Sequence, residues 1–210
     1  MKRRLVEHHF VLAVIVAASL ALGVEFLPSP NPLFRWSMAT AYVGLALLGA
    51  SLIIGPLNLL NRRRNPVSTD LRRDVGIWAG VVSCVHFVVG WQIHMKHRYL
   101  YFLSESEATR QLRPRTDFFG FANDTGLAAV LIALLLLVLS NDYYLRKLGS
   151  ARWKWFQQWN YALFVLVLAH GIAYQIIEKR AAGFVVALTI LSVSAIVAQT
   201  VGYLKVRARP

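Results

Sequence analysis

Two histidines, His86 and His170, lie deep inside long apolar stretches of the chain, Val75 to Met95 and Trp155 to Ile177. A neutral imidazole offers one nitrogen lone pair, and histidine is the commonest metal ligand among side chains. Two such rings at similar depth, on helices running the same way, can grip one metal ion from opposite faces. Other groups with chemistry to offer are sparse. The one cysteine, Cys84, excludes an internal disulfide and any cysteine-based zinc site or iron–sulfur cluster. It precedes His86 by two residues, about 200° round a helix, so it faces away and reads as a small packing residue. No GxGxxG fingerprint is present, and any flavin or nicotinamide chemistry must come from another polypeptide.

The elements that position the pair follow from composition. The 210 residues are 57% hydrophobic and 16% charged, too apolar and too uninterrupted for a soluble domain of this length. Crossing a hydrocarbon core takes about 20 mostly apolar helical residues. Six segments qualify, roughly His8 to Leu27, Trp36 to Leu60, Val75 to Met95, Phe118 to Ser140, Trp155 to Ile177 and Ala181 to Leu204. The first follows Lys2, Arg3 and Arg4 like a secretory signal. Its apolar part outlasts the roughly 7 to 15 residues of a signal, and Val24-Glu25-Phe26 is a poor cleavage site, so it is read as a helix.

A net charge of +13 invites a nucleic-acid reading, which the distribution of charge opposes. With a cytoplasmic N-terminus, the inside segments hold Lys2, Arg3, Arg4, Arg62, Arg63, Arg64, Arg72, Arg73, Arg146, Lys147, Arg152, Lys154, Lys205, Arg207 and Arg209, fifteen of the 23 basic residues. The rest share the outer loops with most of the acids, including Glu105, Glu107, Asp117 and Glu178. This is the positive-inside pattern, with both termini in the cytoplasm. The outer link Lys96 to Asp117 carries Pro114 and mixed charge and has room for a short surface helix, whereas Asn61 to Asp74, with Asn65-Pro66 and Asp70, reads as turn and cap. Neither an internal repeat nor a low-complexity tail is visible, and residues 1–210 read as one domain.

Depth then separates the six histidines. His8 and His9 stand at the inner edge of the first span with no assignable partner. His94 and His97 fall at the outer end of the third; His97, eleven residues after His86, returns to nearly the same helical face about 16 Å further out, and reads as solvated and interfacial. His86 follows Arg73 by thirteen residues, about 20 Å from the inner boundary, and His170 follows Trp155 by fifteen, to a comparable depth. A buried ionisable residue in a span is a functional candidate. The natural shared ligand is haem, because bundle cores build cofactor sites from facing side chains and imidazole is a common axial ligand. Zinc or copper would need further ligands at that depth.

The run Arg72-Arg73-Asp74-Val75-Gly76-Ile77-Trp78, followed by His86-Phe87, resembles the RRxxGxW…H signature of the ferric reductase-like transmembrane superfamily. Most similar is the branch of the YedZ-like haem-binding membrane subunit of the periplasmic methionine sulfoxide reductase system. Gly44 to Leu48 with Ile54-Gly55-Pro56-Leu57 resembles that branch's second helix. Arg146-Lys147-Leu148-Gly149, then Arg152-Trp153, Tyr161 and His170, resembles its link from fourth to fifth helix and the fifth helix itself. The resemblance runs from about Trp36 to Tyr174. It implies haem ligation by His86 and His170. Where two-haem relatives carry a further histidine on the fifth helix, thirteen residues before the position of His170, this chain has Gln157, and Arg73 stands thirteen before His86. Glutamine ligates iron poorly, so one haem b is expected.

The expected protein is thus an all-α, six-helix membrane bundle in a bacterial inner membrane, surrounded by lipid and binding no nucleic acid. It would carry single electrons from a cytoplasmic flavin reductase or a membrane quinol to an outer acceptor, such as a periplasmic oxidoreductase, as an electron-transfer subunit; a bound quinone or flavin is a further candidate cofactor. Two other readings compete: a stand-alone metalloreductase, and a non-redox membrane protein whose histidines only join helices. Trp153, Trp155 and Trp159 are expected to form an inner aromatic belt or to line an inner site.

Overall fold

A computed structural model describes residues 5–61, 69–94, 97–106 and 110–208. Lys2, Arg3, Arg4, Arg62, Arg63, Arg64, Asn65, Pro66, Met95, Lys96, Glu107 and Arg209 lie outside the described residues. The chain forms α1 (Val11–Phe26, led in by a π-helical turn Leu5–Phe10), α2 (Pro32–Leu60), α3 (Thr69–Gly90), a 3-10 turn (Arg98–Tyr101), strands β1 (Leu103–Glu105) and β2 (Leu112–Pro114), α4 (Phe118–Leu139), α5 (Asp142–Gln157), α6 (Trp159–Ile177) and α7 (Ala182–Arg207). Six helical stretches are long and apolar enough to cross a membrane, with α5 and α6 forming one near-continuous stretch. Large apolar side chains such as Val165, Ile176 and Ile190 are more than half exposed, which lipid tolerates and water does not.

The long helix α2 sits at the centre, packed against α1, α3 and α7, while α4 packs against α6 and touches α3. Leu45, Leu48 and Leu52 of α2 meet Ala79, Ala129, Ala133, Leu136, Leu163, Phe164, Leu188 and Ala195 in a single core. Small residues at these crossings bring the backbones close, the usual packing where no hydrophobic force separates helix from lipid. Capping sets the starts: Pro32 fits the first helical turn after Asn31, whose Oδ1 accepts from Leu33 N at 3.0 Å, and Asp117 accepts from Gly120 N at 2.8 Å.

Pro56 falls inside α2 and has no N–H to give the carbonyl of Leu52. Gln199 of α7 donates its Nε2 to that carbonyl instead. A Cβ on Gly202, one turn further along α7, would lie 3.0 Å from Pro56 Cβ, so the same proline seats α7 by shape.

Three boundaries differ from the sequence reading. The third span ends at Gly90, not Met95. Tyr101, 3% exposed, tucks against this helix end, its hydroxyl donating to Gly90 O at 3.2 Å and accepting from His94 N at 2.9 Å. His97 is consequently off the helix and not on the His86 face; it is exposed and stacks on Tyr99 at 5.7 Å. The link between α3 and α4 holds an antiparallel hairpin, Leu103 opposite Pro114, as well as the short helical turn. The supposed link at Arg146 to Gly149 is helical: Asn141 Oδ1 caps α5 through Tyr144 N at 3.0 Å, and Gly149 at φ 73° bends it.

Both ends of the chain gather at one end of the bundle. His8 Nδ1 lies 2.7 Å from Asp74 Oδ2 and His9 Nε2 3.3 Å from Asp74 Oδ1, so these two histidines share a fully buried carboxylate. Lys205 Nζ donates to Leu60 O at 3.2 Å, and Arg73 Nη1 lies 2.7 Å from Asp142 Oδ1. Trp153 donates Nε1 to Leu139 O at 2.9 Å, satisfying one of the carbonyls that every helix leaves open at its C-terminus. Trp155 and Trp159 stay 55% and 41% exposed, as rim residues of an aromatic belt would be.

Candidate functional site

His86 on α3 and His170 on α6 face one another across a cavity at the other end of the bundle, with ring centroids 6.2 Å apart and ring planes 81° apart. Two imidazoles bound on opposite sides of one ion, at about 2.0–2.1 Å per nitrogen, would put their centroids roughly 6.3 Å apart. The observed spacing is close to that value.

The hydrogen bonds determine which nitrogen is free. His86 Nδ1 lies 3.0 Å from Ser37 O, with Thr40 Oγ1 at 3.3 Å, and His170 Nδ1 lies 2.8 Å from Ala122 O. A carbonyl only accepts, so each Nδ1 carries the hydrogen and each neutral ring keeps its lone pair on Nε2. Metal-bound histidines typically have this arrangement: the second ring N–H fixes orientation and tautomer by donating to a carbonyl or carboxylate. Here backbone carbonyls of α2 and α4 orient rings that belong to α3 and α6, so four helices set the pair.

Space for the His170 ring depends on a glycine. A Cβ on Gly126 of α4 would come within 2.6 Å of His170 Nδ1 and 2.8 Å of its Cε1, closer than real atoms approach. Tyr174, one turn after His170, packs on the imidazole at 4.9 Å between centroids and donates its hydroxyl to Asn123 Oδ1 at 2.8 Å. Asn123 in turn donates to Phe119 O at 2.8 Å.

The cavity has a volume of about 190 Å³. Leu45, Leu48, Phe87, Leu127, Val130, Leu163, Val167 and Leu188 are among the apolar side chains of its wall, and small-molecule sites combine such lining with placed polar groups. The lining by the ends of α3 and α6, the mouth end of the cavity, includes His94, Tyr174, Gln175 and Arg180. His94 Nδ1 lies 3.3 Å from Glu178 Oε1 and stacks on Tyr174 at 5.6 Å. Burial holds the His94 imidazole below its usual pKa, against the opposing pull of Glu178. Gln175 donates Nε2 to the Tyr42 hydroxyl at 2.9 Å, while its buried Oε1 has no hydrogen-bond partner.

The structure thus brings His86 and His170 together and leaves His94 at the mouth, His97 on the surface and Cys84 off the cavity wall. Nor do the inner positions offer imidazole: Arg73 is ion-paired to Asp142, and Gln157 is a carboxamide whose buried Nε2 lacks a hydrogen-bond partner. Sequence reading missed Gly126, Tyr174 and Arg180. Tyr174 had a signal in its four-residue spacing from His170, and Gly126 in the polar run Asn123-Asp124-Thr125 inside an apolar span. Nothing local marked Arg180.

The donor set decides what could be held. Among the described residues, no group of three or more His, Cys, Asp or Glu side chains could hold a metal ion. Two imidazoles alone suit an ion whose remaining positions are filled by its own macrocycle, as in haem. Comparison with known proteins found no matching family model, no similar curated protein and no similar solved structure.

Proposed function

We propose that the chain is a membrane b-type cytochrome of the ferric reductase-like kind, closest to the YedZ-like branch, with His86 and His170 as the two axial ligands of one haem b. The observation that carries this reading is the facing imidazole pair, 6.2 Å between centroids, with both Nδ1–H groups tied to backbone carbonyls. A haem so held supplies single-electron exchange, with no coordination position open for substrate. The chain's own part is to keep both Nε2 lone pairs aimed at the axis, surround the site with leucine and valine, and exclude water. Gly126 gives His170 its place, and Tyr174 and Asn123 brace the ring from the mouth.

In this reading both termini are cytoplasmic, following the positive-inside bias, and the membrane is a bacterial inner membrane. The haem then lies nearer the outer face, since each ligand is about 20 Å from the inner boundary by helix rise. An outer acceptor, such as a periplasmic oxidoreductase, could approach its edge. A quinol within the membrane is favoured as donor over a cytoplasmic flavin reductase, because Arg73 and Gln157 provide no inner ligand pair.

Purification in mild detergent followed by pyridine haemochrome analysis tests this directly. One haem b per chain is the expected result. An absent Soret band after expression with ample haem would support a non-redox bundle, and two haems per chain would demand an inner ligand set outside His86 and His170.

A further inference from the structure

Arg180 lines the same cavity as the two histidines, and nothing so far explains why a permanently charged side chain stands there. It is delivered by a tight reversal between α6 and α7. Lys179 adopts φ 46°, a left-handed conformation that costs a non-glycine residue of order 1 kcal/mol, and Arg180 N donates back to Gln175 O at 3.2 Å. A guanidinium has five N–H donors in a planar fork, no acceptor, and a charge it keeps at any physiological pH. Its contacts use few of them. One Nη1 donates to the Met38 thioether at 2.8 Å, a weak acceptor, and the guanidinium carbon lies 4.8 Å from the centre of the Phe34 ring. Glu178 is close enough to act on it electrostatically, yet the Glu178 oxygen is turned to His94. Among the described residues no carboxylate forms an ion pair with Arg180. A partly buried cation with donors to spare suits an anion, above all a planar carboxylate that can accept two parallel hydrogen bonds.

We propose that Arg180 is the anion anchor of the cavity, taking a carboxylate of the ligand held between His86 and His170. The inference rests on the haem reading, in which the porphyrin's propionates are those carboxylates. Arg180 then orients the ring as well as holding it: the acid edge turns to the mouth, beside His94, and the alkyl edge to the leucines of the wall. The strained turn at Lys179 is maintained because it puts this charge at the mouth.

Apo-protein of full length, prepared under haem limitation, is titrated in detergent with haem b and with haem b dimethyl ester, in which both carboxylates are capped. Wild type should bind the ester about ten- to hundredfold more weakly than the free acid, the range for a lost charge-assisted hydrogen bond. Arg180→Gln should bind the free acid correspondingly more weakly and lose the discrimination, and Arg180→Lys should recover part of it. Because discrimination is a ratio taken within one protein, partial misfolding of a variant does not mimic the result. Wild type binding acid and ester alike overturns the anchor while leaving the histidine ligands standing, as does Arg180→Gln keeping full discrimination. Wild type taking up neither porphyrin overturns the anchor and the haem reading together.

Discussion

At the scale of single residues, the site is a case of backbone determining side-chain chemistry. His86 and His170 are aimed by the carbonyls of Ser37 and Ala122, neither of which a sequence can mark as special. In the proposed haem site, replacing either histidine with alanine would remove one ligand and open an apolar cavity, so His86→Ala and His170→Ala should each lose most bound haem, read as Soret absorbance per chain. His97→Ala should retain it, since His97 lies exposed beyond the helix end. Gly126→Ala is the sharper test: one added methyl at 2.6 Å from His170 Nδ1 should displace that ring and cut haem content severalfold without removing any polar atom. Full haem content in Gly126→Ala would mean that His170 does not occupy the place described. The pair itself was legible in the sequence because polar residues are rare in spans; the polar run before Gly126 marked the place but not the glycine's role, which is to be absent from a volume that only the packing of α4 on α6 defines.

At the scale of elements, two joints should repay measurement. Pro56 leaves the Leu52 carbonyl without its helical donor, and Gln199 fills the gap. Gln199→Leu should destabilise the protein by about 1–3 kcal/mol, the cost of a buried carbonyl left unpaired, measured by thermal or denaturant unfolding in detergent. Pro56→Ala restores a backbone N–H at that position, so the double variant should lose much less than the single changes summed. Simple additivity would show that the two residues are not coupled. The outer hairpin is tied to α4 through Arg115, whose Nη2 lies 2.6 Å from Asp117 Oδ2. The Arg115 hydrogen bonds hold the Asp117 carboxyl below its usual pKa. A depressed folded-state value means stability that is present above the unfolded carboxylate pKa near ~4 and is lost as pH falls through the folded value. Asp117→Ala should cost about 1 kcal/mol through the lost helix cap, with the deficit shrinking at acid pH. A deficit independent of pH down to acid conditions would assign it to packing alone. These joints explain where sequence reading stopped. Hydrophobic runs marked all six spans, but the helix in the link after Leu139 and the early stop at Gly90 depend on Asn141 and Tyr101, partners whose contacts only the folded chain displays.

At the scale of the whole molecule, the arrangement is polar along the membrane normal. Charged joints cluster where the termini meet, through Asp74, Arg73 and Lys205, and the cavity opens at the far end beside Arg180 and Glu178. Reporter fusions at the N-terminus and the C-terminus should both report cytoplasm, and one in the loop near Arg110 should report the outer side; an outer C-terminus would reverse the direction of electron flow proposed here. The count of arginine and lysine sets the expected orientation, because that bias acts on insertion and owes nothing to packing. Which side of each span turns inward was not legible, since apolar helices with no polar face carry no periodic signal of it.

The central claim is that one iron is bound by two imidazoles, from His86 and His170, and low-temperature electron paramagnetic resonance of the oxidised protein tests it most directly. The account predicts a purely low-spin ferric signal with the near-infrared magnetic dichroism of bis-imidazole ligation, which becomes high-spin or vanishes in His86→Ala and in His170→Ala alike. A low-spin bis-imidazole signal that survives in either variant would contradict it.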